Sequence, residues 1–193
     1  MTKPLIALLF LTLSGTIQAQ TIGADKTPLP EKPAQTRSEL PVRPIGTFMR
    51  IKSDDGEHAS GYDVALWKQG AKIYGLISAH EGLIGDPPAG LLENVRFDPR
   101  TKKFSFTAKL SLGVDGDNIP SHDIFEFEGT LTATRLAGNL LIKDEQCGKS
   151  CTERKKINLP RSKEWSSSME NFKSYAEWKK DADEILSFRG PGW

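Results

Sequence analysis

The chain has no excess of charge of either sign: 26 Lys and Arg stand against 25 Asp and Glu in 193 residues, a formal net charge of +1. Proteins that grip a nucleic-acid backbone concentrate positive charge to neutralise phosphates, so this balance argues against a nucleic-acid partner. It also excludes an acidic solvating tail. Long apolar runs are nearly absent too. The only stretch that approaches a membrane span is Leu5-Ile6-Ala7-Leu8-Leu9-Phe10-Leu11, at the N-terminus. It follows Lys3 and precedes Ile17-Gln18-Ala19, so residues 1–19 have the layout of a secretory signal peptide: a basic end, an apolar centre too short for a bilayer, and a small residue at the cut. No cysteine stands directly after that cut, so no lipid anchor is indicated. Cleavage removes Lys3 and no acid, which makes the mature chain formally neutral. The expectation is a periplasmic or secreted protein with no integral membrane segment after processing.

Cysteine is scarce. Cys147 and Cys151 are the only two, separated by Gly148-Lys149-Ser150. In an oxidising compartment they are expected to form a disulfide, worth about 2 kcal/mol for so short a loop. A redox role would ask for two intervening residues ahead of a helix, which is not the spacing here. Histidine is nearly as rare: His58, His80 and His122 each have an acidic sequence neighbour, in Glu57, Glu81 and Asp123. None belongs to a short metal-ligand spacing such as H-E-x-x-H. Asp54-Asp55-Gly56-Glu57 and Asp115-Gly116-Asp117-Asn118 do not fill the ligand positions of a calcium loop. There is no G-x-S-x-G, no phosphate-cradling glycine loop and no recognisable carboxylate pair. These absences lead to an expectation of no metal, no cofactor and no catalytic residues. A hydrolase or metal enzyme would need His80 or His122 to converge in space with a carboxylate.

What is there is mostly alternation. Residues 20–44 carry Pro28, Pro30, Pro33, Pro41 and Pro44 with few large apolar side chains, which predicts a disordered tether. From 45 to 160 the period is two. Phe104, Phe106, Ala108, Leu110 and Leu112 share one face of a strand, and the run 92–97 before it should complete a hairpin through the turn residues 98–102. A second hairpin joins 62–67 to 73–79 through Gly70, and a third joins 122–132 to 136–142. With 47–52 and 152–158 the pattern gives about eight strands, the spacing of a mainly β, small antiparallel up-and-down barrel. Gly75, Gly129 and Gly138 fall in phase with the apolar residues of their own strands, which favours a coiled, closed sheet. Over 161–193, Ser167-Ser168-Met169-Glu170 has a capping-box layout, and Met169, Phe172, Ala176, Ala182, Ile185 and Leu186 recur at near-helical spacing. This predicts a C-terminal amphipathic helix packed on the barrel, over a mouth or an edge.

The longest distinctive connection is His80-Glu81-Gly82-Leu83-Ile84-Gly85-Asp86-Pro87-Pro88-Ala89-Gly90. Functional side chains concentrate in such loops on rigid scaffolds, so His80, Glu81 and Asp86 are the candidate binding residues.

The architecture resembles small ligand-binding barrels of the lipocalin and calycin type. Ser60-Gly61-Tyr62 is similar to the start of the S-G-x-x-Y motif of exported barrel inhibitors of lysozyme, although Tyr62 here follows Gly61 directly. These likenesses imply an exported, non-enzymatic binding protein that holds a small apolar or amphipathic ligand in the barrel mouth, under the C-terminal helix. The alternative is a cell-envelope protein-interaction module or an inhibitor of an extracellular hydrolase. Phe104, Phe106, Phe125 and Phe127 bear on the choice, since rings that pack together fill the interior and rings that stand apart leave it hollow.

Overall fold

Phe104, Phe106, Ala108 and Leu110 all point to the same side of one strand and are all buried, while the residues between them are not. That strict alternation, repeated along the chain, builds a mainly β protein. The computed structural model describes residues 39–53, 55–83, 85–114, 119–146 and 151–193. The strands are β1 (Arg43–Lys52), β2 (His58–Gln69), β3 (Lys72–Leu83), β4 (Ala89–Leu91), β5 (Glu93–Phe97), β6 (Lys103–Leu110), β7 (Asp123–Leu131), β8 (Arg135–Asp144) and β9 (Thr152–Ser162). Two helices follow, α1 (Lys163–Ser167) and α2 (Tyr175–Arg189).

All pairings are antiparallel, in the order β4-β3-β2-β1-β9-β8-β7-β6-β5. β1 meets β9 at Thr47–Ser162 and Phe48–Arg161. The two edges of this order are themselves joined, because only Leu92 separates β4 from β5. The Leu92 amide donates to Gly75 on β3, and a Cβ built at Gly90 would lie 2.3 Å from the Lys109 carbonyl oxygen on β6. The sheet therefore curls into a nearly closed up-and-down barrel, close to the eight strands expected. The β2–β3 hairpin turns at Gly70-Ala71, with Gly70 at φ +60°, a conformation that costs glycine nothing.

The barrel centre is filled. Phe104, Phe106, Phe125 and Phe127 are at most 2% exposed. Phe104, Phe106 and Phe127 pack on one another with ring centroids 5.1–6.2 Å apart, and Phe125 packs edge-on against Tyr62. Phe48, Val64, Ile77, Leu136 and Leu140 complete the same core.

A second apolar cluster lies outside the barrel. Trp67, Leu76 and Tyr74 point away from the interior and meet Phe172, Trp178 and Ala182. Helix α2 thus covers the outer wall of β2 to β4 and leaves the mouths uncovered. Its start also differs from expectation. The N-cap is Ser174, whose side chain accepts from the Glu177 amide, while Glu177 accepts from the Lys173 amide. The working S-x-x-E is therefore Ser174 to Glu177, and Met169 and Phe172 belong to the preceding loop. Phe172 instead exchanges two backbone hydrogen bonds with Val42. Val42 is fully buried and β1 begins at Arg43, so ordered structure reaches back into the end of the Pro-rich stretch expected to be tether. Residues 1–38, which carry the signal-peptide motif and most of that stretch, lie outside the described residues, as does Cys147. No helix among the described residues is long and apolar enough to cross a membrane.

Candidate functional site

With the centre packed, concave surface is left at the barrel ends and on its outer wall. Three hairpin turns, 70–71, 98–102 and 132–134, gather at one end. A cavity of about 410 Å³ opens there, lined by Ile45, Ile73, Phe97 and Leu131 with Lys68 and Lys102. Its chemistry follows from strand phase. Tyr62, Val64 and Leu66 point inward along β2, and the next residue in that phase is Lys68. On β9, Ile157 and Leu159 are followed in phase by Arg161, which lies against Gly46. Among the described residues, Lys68, Lys102 and Arg161 form no ion pair. Asp98 is the acid of the neighbouring turn, and its carboxylate accepts from the Thr101 hydroxyl and from the Arg100 and Thr101 amides. Those bonds hold its pKa below the ordinary aspartate value, the Thr101 hydroxyl contributing most.

The opposite end is different. Glu81 points inward and accepts from the Tyr62 hydroxyl at 3.1 Å and from Lys155 at 2.8 Å, while Lys155 also meets Glu153 at 3.1 Å. Burial pushes the Tyr62 phenol pKa up. Burial works against the Lys155 ammonium, but hydrogen bonds to Glu81, Tyr62 and Glu153 outweigh it and raise its pKa above the usual lysine value. Asp123, also buried here, accepts from the Leu112 amide and the Ser121 hydroxyl, so each of these groups has a partner within the protein.

Another cleft, of about 270 Å³, lies on the outer face of β1 to β3, walled by Trp165 of α1, the 85–87 loop and Arg189. His80 Nε2 stands 2.9 Å from Asp63 Oδ2 on its floor. Arg189 donates to the Pro87 carbonyl at 2.7 Å and to the Ser78 hydroxyl at 3.0 Å. Trp165 is 57% exposed.

The three candidate binding residues thus separate. His80 and Asp86 line the outer cleft, and Glu81 faces the barrel interior. Successive strand residues point to opposite faces, which is why Glu81 cannot serve as the partner of His80. The other histidines behave likewise: His58 pairs with Asp55 at 2.6 Å, and His122 stacks on Trp193 at 4.4 Å between ring centroids. The three histidines stay apart, and among the described residues no group of three or more His, Cys, Asp or Glu side chains could hold a metal ion. His80 does meet a carboxylate, yet no hydroxyl among the described residues hydrogen-bonds to its ring.

Two features were missed from sequence. Asp63 follows from hairpin arithmetic, since a two-residue turn at 70–71 pairs residue 63 with 78 and sets it diagonally beside His80. Lys68 is visible as the charge that breaks the inward apolar series of β2. Ser60-Gly61-Tyr62, for its part, lies inside β2. Gly61 sits at φ +133°, and a Cβ there would lie 2.0 Å from the Arg50 carbonyl oxygen, so backbone approach alone accounts for the glycine. No family model, no curated protein and no solved structure matches the chain.

Proposed function

We propose that this chain is an exported, non-enzymatic binding protein that takes a small apolar or amphipathic ligand at the turn end of its barrel. The observation that carries this is the cavity of about 410 Å³ floored by Ile45, Ile73, Phe97 and Leu131. Ligand pockets span roughly 300–1,000 Å³ and combine an apolar lining with a few polar groups, which is the character of this mouth. The site differs from the one expected beneath the helix, because α2 lies on the outer wall. Export rests on the signal-peptide layout of residues 1–19, and a Cys147–Cys151 bond belongs to the same proposal.

Native and denaturing mass spectrometry of protein taken from the exported fraction tests all three parts. The expected species begins at Gln20, is two hydrogens lighter than the reduced chain, and carries an extra non-covalent mass under native conditions. That extra mass should disappear in Phe97→Asp. A mature chain that never carries a ligand, even after incubation with amphiphiles, overturns the mouth-binding reading.

A second reading has its own observation. The exposed Trp165 overhangs a cleft that holds His80 and Asp86, an arrangement that favours docking of an envelope protein or an extracellular hydrolase. A partner held by the native chain and lost in His80→Ala/Asp86→Ala would support it. Equal retention by both would count against it.

A further inference from the structure

We infer that the turn-end mouth selects an anionic, single-chain amphiphile: its chain lies on Ile45, Ile73, Phe97 and Leu131, and its carboxylate, sulfate or phosphate head meets Lys68 and Lys102. This rests on the mouth-binding reading above and names the ligand class for that site.

The barrel's two ends differ in what meets their charges. Both carry charged side chains in the inward phase of their strands. At the far end every such group has a partner: Glu81 and Glu153 share Lys155, the Tyr62 hydroxyl donates to Glu81, and the buried Asp123 accepts from the Leu112 amide and the Ser121 hydroxyl. At the turn end the charged groups that line the mouth are both cations, Lys68 from β2 and Lys102 from the turn, and neither has a carboxylate partner among the described residues. The Lys102 ammonium donates to the Pro99 carbonyl, at 2.6 Å. Asp98, the acid of the adjoining turn, is engaged by that turn. Overall neutrality thus conceals a local imbalance above an apolar floor.

The imbalance discriminates among ligands. An anionic head gains charge-assisted hydrogen bonds from ammonium groups that no protein anion competes for. A neutral head of the same size displaces water from those groups without replacing its full interaction, and a cationic head is repelled. Lysine suits any compact oxyanion, since its ammonium acts as a mobile point charge and demands no planar partner. The filled centre limits the apolar part to one chain, because Phe104 and Phe127 close the way inward.

Isothermal titration at submicellar concentration would compare decanoate, decanol and decyltrimethylammonium, with inorganic phosphate and phosphatidylglycerol vesicles as further arms. We expect decanoate to bind at least about tenfold more tightly than decanol, the scale of one charge-assisted contact, and decyltrimethylammonium to bind most weakly. Raising the salt should narrow the gap. In Lys68→Gln/Lys102→Gln, shown folded by circular dichroism, the gap should close, and Lys68→Arg/Lys102→Arg should restore it. Equal affinity for the three head groups, or a gap that survives the double Gln variant, overturns the inference while leaving mouth binding intact. Phosphate alone binding as tightly as decanoate, or vesicles binding while monomeric decanoate does not, also overturns it. If none of the three amphiphiles binds, the mouth-binding reading itself fails.

Discussion

Gly129 and Gly138 stand directly opposite each other on β7 and β8, and a Cβ on either would lie 2.7 or 2.6 Å from the Cα of the other. Phe127 folds its ring over the gap, its Cζ 2.7 Å from where a Gly129 Cβ would be. The absent side chains let two strands and an aromatic ring share one layer of the wall. Gly138→Ala should destabilise the barrel by about 1–3 kcal/mol, the usual cost of forcing extra volume into packed structure. Urea denaturation of the native chain and the variant checks this, and an unchanged midpoint would refute it.

Trp178 ties α2 to the barrel wall. It is 2% exposed and packs against Trp67, Tyr74 and Tyr175. Trp178→Ala should cost about 3–5 kcal/mol, in line with other large-to-small changes at buried aromatic positions. The outward face of β2 and β3 would then be laid bare, so increased binding of a hydrophobic dye should accompany the loss of stability.

Ser174→Ala and Ser167→Ala separate the two capping boxes written in the C-terminal region. Ser174 caps α2, whereas the Ser167 hydroxyl donates to the Glu164 carbonyl within the earlier helix. The first change should cost about 1 kcal/mol of stability and the second far less. Thermal melts monitored in the helical region of the circular dichroism spectrum decide between them.

Alkaline pH should unfold the protein from the end where Tyr62, Glu81 and Lys155 meet. Both Tyr62 and Lys155 have folded pKa values raised above their ordinary ones, Tyr62 by burial and Lys155 by hydrogen bonds that outweigh burial. For each, the stabilisation is complete below the unfolded pKa, near 10 for a phenol and about 10.4 for a lysine, and is lost as pH rises through the folded value. Stability should therefore hold up to about pH 10 and fall above it. Tyr62→Phe should lower neutral-pH stability by about 1 kcal/mol, through the lost bond to Glu81, and make the alkaline decline shallower. A decline of unchanged steepness in that variant would assign it to other groups.

Particular residues show how far the chain could be read before its structure. β6 was legible because Phe104, Phe106, Ala108 and Leu110 alternate with polar side chains, and each of the four is buried. The strand ends two residues before that pattern does: Leu112 lies past it, where its amide donates to Asp123 while its side chain still packs against the core. The helix on the outer wall was present in the sequence as an irregularity. Leu66 beside Trp67, and Leu76 beside Ile77, place apolar side chains in both phases of a strand, which requires cover on both faces. The turn-end mouth was harder to see, because it is assembled from single residues of five strands and from three turns, and no local spacing marks them as neighbours. The outer cleft combines a hairpin pair with a tryptophan and an arginine from distant helices, so only His80 and Asp86 announced it.

The two-position pairing of β1 with β9 also orders events in time. Thr47 and Phe48 can meet Ser162 and Arg161 only after more than a hundred intervening residues have been brought round, whereas β2–β3, β5–β6 and β7–β8 each form across a short turn. Closing a long loop costs entropy before its contacts repay it, so the hairpins should zip first and the seam should join last. Until it joins, two partly built sheets expose the inward phenylalanines of one and the unpaired edge of the other, and the speed of that final closure sets how long the nascent chain is open to association with its own copies.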